Sequence, residues 1–95
     1  MIKININKDE ITIKGHSGYA EEGFDIVCAS VSSISITTVN ALLSIDEGCI
    51  EYEEKDGYLN IKIKKHNEVI DKLIDNMIIL LKELEEQYKK YIEIR

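Results

Sequence analysis

Near the start of the chain Ile2, Ile4 and Ile6 alternate with Lys3, Asn5 and Asn7, the period of a strand with one buried face. Asn7-Lys8-Asp9 supplies turn chemistry, and Glu10 to Lys14 resumes the alternation with Ile11 and Ile13 on one face, so the two stretches predict an antiparallel hairpin. The period then changes. From about Ile26 to Ile45 the residues Val27, Val31, Ile34, Thr38, Ala41, Leu42 and Ile45 fall on one stripe of a helix. Asp25 is placed to cap it, its carboxylate accepting the N–H of Val27 or Cys28. The many β-branched residues weaken intrinsic helix propensity, so packing must hold this helix in place. Alternation returns from Cys49 to Glu54 and from Tyr58 to Lys64, where Leu59, Ile61 and Ile63 share a face, and the Asp56-Gly57 pair between them is a strong hairpin signal. A last helix, capped by Asn67 or His66, is predicted to reach about Tyr91 or Ile92. Val69, Leu73, Met77, Leu80 or Leu81, Leu84, Tyr88 and Tyr91 give it one stripe, which Ile70, Ile74 and Ile78 widen. Met77 to Leu81 is apolar all round and needs cover on more than one side, which predicts a homodimer.

The order β-β-α-β-β-α predicts an α+β fold: a two-layer sandwich with a four-stranded, largely antiparallel sheet and two helices on one face. Ninety-five residues suffice for one core, so residues 1–95 are expected to form a single domain. The hairpins alone leave the strand order open. The chain has no phosphate-binding loop, dinucleotide fingerprint, repeat or linker.

Charge narrows the partners. Eighteen acidic residues against twelve basic ones give a net charge of -6, which argues against a nucleic-acid module and is compatible with a basic partner. No apolar run is read as approaching the roughly 20 residues that a membrane helix needs, and no signal-peptide pattern opens the chain, so a cytoplasmic protein is expected. Cys28 and Cys49 lack metal-ligand spacing and read as free thiols in a reducing compartment. Neither a metal nor a cofactor is expected.

Candidate chemistry concentrates between Gly15 and Ser33. His16 closes a strand and Cys28 opens a helix, with a Gly-containing acidic connector between them. A thiol in the first turn of a helix faces unpaired N–H groups and the positive end of the macrodipole, which favour thiolate. An imidazole alongside would complete a nucleophile and base pair. Position alone favours the plainer readings, a strand-end surface histidine and a buried structural cysteine. The Ser17 to Phe24 loop has no face to bury and is expected to be mobile. Gly18 and Gly23 would let it move, and Tyr19 or Phe24 would cover a bound peptide. Cys49 reads as ordinary packing and His66 as a surface residue at a helix entry.

Gly15-His16-Ser17-Gly18-Tyr19-Ala20, followed by Gly23-Phe24-Asp25-Ile26-Val27-Cys28-Ala29-Ser30-Val31-Ser32 and later by Val39 to Ile45, VNALLSI, resembles the signature of the ribosomal-processing cysteine protease (Prp) family. That family occurs in Bacillota and neighbouring bacterial groups. Ser17 and Ser30 stand where many members carry alanine, and both are small. The resemblance spans the whole chain. It implies an endopeptidase that removes the N-terminal extension of a large-subunit ribosomal protein, cutting after an aromatic pair and before a basic segment. On this reading Cys28 is the nucleophile, His16 handles the proton, and Asp25 matches a position where the family keeps an acid. Asp25 then acts either as a cap or as a charge beside His16. The Cys28 N–H is a candidate oxyanion donor. Two alternatives stand beside this reading: a non-catalytic, ribosome-associated peptide-binding module, and another thiol chemistry, such as acyl transfer, that uses the same pair.

Overall fold

The two alternating stretches at the start pair as expected. β1 (Ile2–Ile6) and β2 (Glu10–Lys14) run antiparallel, with Ile4 opposite Ile13 and Ile6 opposite Ile11. The structure, a computed structural model, describes residues 1–21 and 25–95. Helix α1 (Ile26–Ile45) follows, then the hairpin of β3 (Ile50–Lys55) and β4 (Tyr58–Ile63), helix α2 (Glu68–Gln87) and β5 (Ile92–Ile94).

The sheet has five strands in the order β3-β4-β2-β1-β5. Every pairing is antiparallel except β1 with β5, which is parallel. This corrects the four-stranded expectation, and with it the end of α2, which stops at Gln87 and does not reach Tyr91 or Ile92. Tyr88 leaves the helix at φ -130°, ψ 47°. The reason lies in β1. Its outer edge would be unpaired without β5, whereas here Ile2 N donates to Tyr91 O at 2.8 Å, Arg95 N to Ile4 O at 2.8 Å and Ile6 N to Arg95 O at 2.9 Å. Satisfying those backbone groups and burying Ile92 outweighs one more turn of helix.

Both helices pack on the sheet face that carries Ile2, Ile4, Ile11, Ile13, Leu59, Ile61 and Ile63, forming one core. Each fully buried isoleucine contributes about 1.5–3 kcal/mol relative to exposure. The buried side of α1 is Val27, Val31, Ser35, Thr38, Val39 and Leu42. It is rotated from the predicted stripe, so that Ile45 is 50% exposed. Ser35 and Thr38 are tolerated in the core because their hydroxyls donate to the carbonyls of Val31 and Ile34, at 2.8 and 2.9 Å. On α2 the buried stripe is Ile70, Ile74, Met77 and Leu81, with Asn67 as the cap, and Val69 falls outside it. Contrary to the sequence reading of apolar runs, α1 is long and apolar enough to cross a membrane, with an 18-residue window of mean hydropathy 1.8. In the fold its apolar side packs against α2 and into the core beneath the sheet.

Candidate active site

One wall of the site is built by strand register. Lys14, the last residue of β2, lies opposite Tyr58 of β4, and the ladder continues one step further as Gly15 N donates to Gly57 O at 2.8 Å. Gly15 sits at φ +98°, and a Cβ there would stand 2.6 Å from the Met1 carbonyl oxygen, so no other residue fits without displacing backbone. The next residue, His16, is thereby delivered onto the β3–β4 turn. Its carbonyl accepts from Met1 N at 2.6 Å. Its ring abuts Gly57, where an added Cβ would lie 2.7 Å from Nε2. Asp56 Oδ2 is 3.8 Å from the same nitrogen.

The other wall is the start of α1. Asp25 caps the helix as expected, with Oδ1 accepting the N–H groups of Val27 and Cys28, both at 3.0 Å. Its Oδ2 accepts the hydroxyl of Ser17, and Ser17 Oγ in turn accepts from Tyr19 N at 3.1 Å. Partial burial pushes the Asp25 carboxyl up. The Ser17 hydroxyl, the Cys28 and Val27 N–H groups and the Cys28 thiol together outweigh it, and the carboxyl lies below the ordinary carboxylate value. Cys28 is half-buried, and its sulfur accepts the Ser17 N–H at 3.3 Å. Such a contact strengthens when the sulfur carries charge. The Cys28 N–H, by contrast, is occupied by the Asp25 cap, which removes it as the ready oxyanion donor that its place at the helix start suggested.

Between these walls lies an open cavity of roughly 540 Å³, lined by His16, Gly18, Asp25 and Cys28, by Ala29, Ser32, Ser35 and Ile36 of α1, and by Glu54 to Leu59 of the second hairpin. His16 and Cys28 therefore border one space, as do Asp25 and Gly18. Tyr19 packs edge-on against Tyr88 and Tyr91, with ring centroids 5.8 and 5.1 Å away. Gly23 and Phe24 lie outside the described residues. Asp25 is committed to Ser17 and the helix start, and among the described residues the carboxylate beside His16 is that of Asp56. Asp56-Gly57 was legible in the sequence only as a turn. Its approach to His16 depends on the β2–β4 register, for which the local sequence carries no signal.

The remaining thiol and imidazole are placed differently. Cys49 is fully buried, its Sγ 3.4 Å from Leu42 O, and burial, reinforced by the Asp46 charge, pushes the thiol up. His66 sits between Asp71 (Nδ1 to Oδ1, 2.7 Å) and Asp9 (Nε2 to Oδ1, 2.6 Å), linking the start of α2 to the β1–β2 turn. Among the described residues no group of three or more His, Cys, Asp or Glu is arranged to hold a metal ion.

A thiol in the first turn of a helix, open to a cleft that it shares with an imidazole, is equipped for nucleophilic attack on a carbonyl. The family model described as "Cysteine protease Prp" matches residues 1–93. The chain belongs to the cysteine protease Prp family. Among its relatives is the ribosomal processing cysteine protease Prp of Staphylococcus aureus, 26% identical over 100 residues, covering 98% of this chain and 94% of that protein. The Prp of Bacillus subtilis is 29% identical over 87 residues, covering 84% and 78%. A crystal structure of the S. aureus Prp in complex with a covalently linked product peptide superposes with a TM-score of 0.88 at 25% identity, over 99% of this chain and 95% of that one.

Proposed function

We propose that the protein is an endopeptidase that removes the N-terminal extension of a large-subunit ribosomal protein, with Cys28 as nucleophile and His16 as acid-base. The observation that carries this reading is the shared cavity: two residues twelve apart in sequence border one open cleft, with Cys28 at the N-terminus of α1. The product-peptide complex of the S. aureus relative supports a peptide as the ligand. Cys28 sulfur attacks the scissile carbonyl carbon, His16 receives the thiol proton and passes it to the leaving amine, and water then hydrolyses the thioester. The Ser17 N–H, aimed at the sulfur, holds the negative charge there before attack. Asp25 supports the pair by fixing the helix start and Ser17 together.

The reading extends to surroundings and assembly. Gly18 and Tyr19 belong to the part of the connector that closes over the peptide; Gly23 and Phe24, named with them from the sequence, lie outside the described residues. The protein works in the cytoplasm, where unprocessed ribosomal proteins are made, and needs no metal, cofactor or nucleic acid. It is a homodimer through α2, on which Ile79 is 55% exposed, Val69 52% and Leu80 38%. Light scattering should give twice the chain mass at micromolar concentration, and Ile79→Glu should lower it towards the monomer. A monomeric wild type ends the dimer reading.

The decisive experiment incubates the purified protein with the unprocessed ribosomal precursor and follows product mass. A shortened precursor and a released N-terminal peptide are expected. Stable binding of an uncut precursor would favour the non-catalytic peptide-binding module instead.

A further inference from the structure

Building on the protease reading above, we propose that Asp56, carried on the tight turn that Gly57 makes possible, is the positioning residue of His16. It keeps the Nε2–H of the imidazole turned towards the β3–β4 turn and leaves Nδ1 as the nitrogen that exchanges a proton with Cys28.

Three observations place the ring there. Asp56 Oδ2 lies 3.8 Å from Nε2, an ion-pair distance beyond a direct hydrogen bond. Gly57, at φ +66°, offers its bare Cα to the ring. A Cβ would stand 2.7 Å from Nε2 and 3.3 Å from both Cδ2 and Cε1, so the Nε2 end of the imidazole occupies the space of the missing side chain. The pairing of Lys14 with Tyr58 and the Gly15 N–H to Gly57 O bond tie the backbone that carries His16 to the turn that carries Asp56. Among the described residues the neighbouring charges leave this role to Asp56. Asp25 is engaged by Ser17, Val27 and Cys28. Lys55 lies 3.4 Å from Glu53 and over the Tyr58 ring, and Glu54 lines the cavity on the adjacent strand.

A neutral imidazole carries one N–H and one lone-pair nitrogen, and a carboxylate facing Nε2 selects the tautomer protonated there. The Cys28 S–H bond then breaks as Nδ1–H forms. The imidazolium carries both protons while the sulfur bonds to carbon, and Nδ1–H passes to the amine nitrogen as the C–N bond breaks. No proton passes to Asp56 in these steps.

The test compares Asp56→Ala and Asp56→Glu with wild type by precursor cleavage, by the rate of Cys28 alkylation with iodoacetamide, which needs no substrate, and by the His16 tautomer from long-range ¹H–¹⁵N NMR. Asp56→Ala should lower kcat and the alkylation rate about fivefold, the weight of an exposed ion pair, with KM little changed. The Nε2–H tautomer should lose population, and Asp56→Glu should recover part of each loss. Thermal unfolding should not move, because Asp56 is an exposed turn residue. Unchanged alkylation with an unchanged tautomer in Asp56→Ala overturns the assignment. If the wild type fails to cut the precursor, the protease reading falls by itself, and alkylation and tautomer still decide Asp56.

Discussion

The two histidines show how one side chain is set to opposite tasks. His66 is held on both nitrogens by carboxylates at 2.6 and 2.7 Å, joining the β1–β2 turn to the first turn of α2. Among the described residues His16 has one carboxylate beside it, at 3.8 Å, and its side chain is 65% exposed, and its ring borders a cavity that also reaches a thiol. A histidine with both nitrogens bonded has no lone pair left for chemistry. A loosely steered one keeps a nitrogen to offer. The two cysteines divide in the same way: Cys49 is sealed in the core, and Cys28 opens onto the cleft.

The strongest way to break this contrast is to exchange which member is removed. Cys28→Ala and His16→Ala should each reduce precursor cleavage on the order of 10³-fold or more. His66→Ala and Cys49→Ser should leave turnover essentially unchanged, as followed by product mass. Full turnover by Cys28→Ala would end the catalytic assignment, and a large loss in His66→Ala would erase the distinction between the histidines.

Asp25 sharpens the same comparison at smaller cost, because its bonds tie it to the thiol side of the site. Asp25→Ala should destabilise the fold by about 1 kcal/mol through the lost cap, a drop in Tm of roughly 4–8 °C for a chain this size. Asp25→Asn, which still offers an amide oxygen to Val27 and Cys28, should stay near the wild-type Tm. Equal losses for both would mean that the charge, and not the cap, holds the helix start.

The smallest effect belongs to His66 and shows its sign in pH. The Asp71 and Asp9 carboxylates raise this imidazole above its ordinary value. The clamp is therefore fully formed below that ordinary value and fades as pH climbs through the raised one. The Tm difference between wild type and His66→Ala should be wider at about pH 6 than at about pH 9, since histidine is ordinarily half-protonated near 6.5. A constant difference would mean that His66 acts by packing alone.

How far these features were legible in the sequence follows from how local each one is. The bounds of α1 and the Asp25 cap depend on neighbours within a few residues, and both were readable. The two hairpins were equally local, one marked by alternating isoleucines and the other by Asp56-Gly57. β5 was hidden because Tyr88 to Tyr91 contains neither glycine nor proline to end a helix, and three residues of alternation carry no period. Its existence depends on the vacant edge of β1, some ninety residues earlier. Asp56 was missed for a related reason: its nearness to His16 comes from the Lys14 to Tyr58 pairing, a match between strands that neither strand announces.

The strand order also governs how the molecule behaves at high concentration. A sheet in the order β3-β4-β2-β1-β5 ends in two unpaired edges, and an open edge is a template for growth by further copies. At one end β5 is only three residues long and carries the Arg95 and Glu93 pair at its tip. At the other, β3 is six residues long and carries Glu51, Glu53 and Glu54. Glu53 pairs with Lys55 of the same strand and Glu51 with Lys64, so two such edges laid together would have to bury a row of charged side chains, and charge guards the longer edge where short length guards the other.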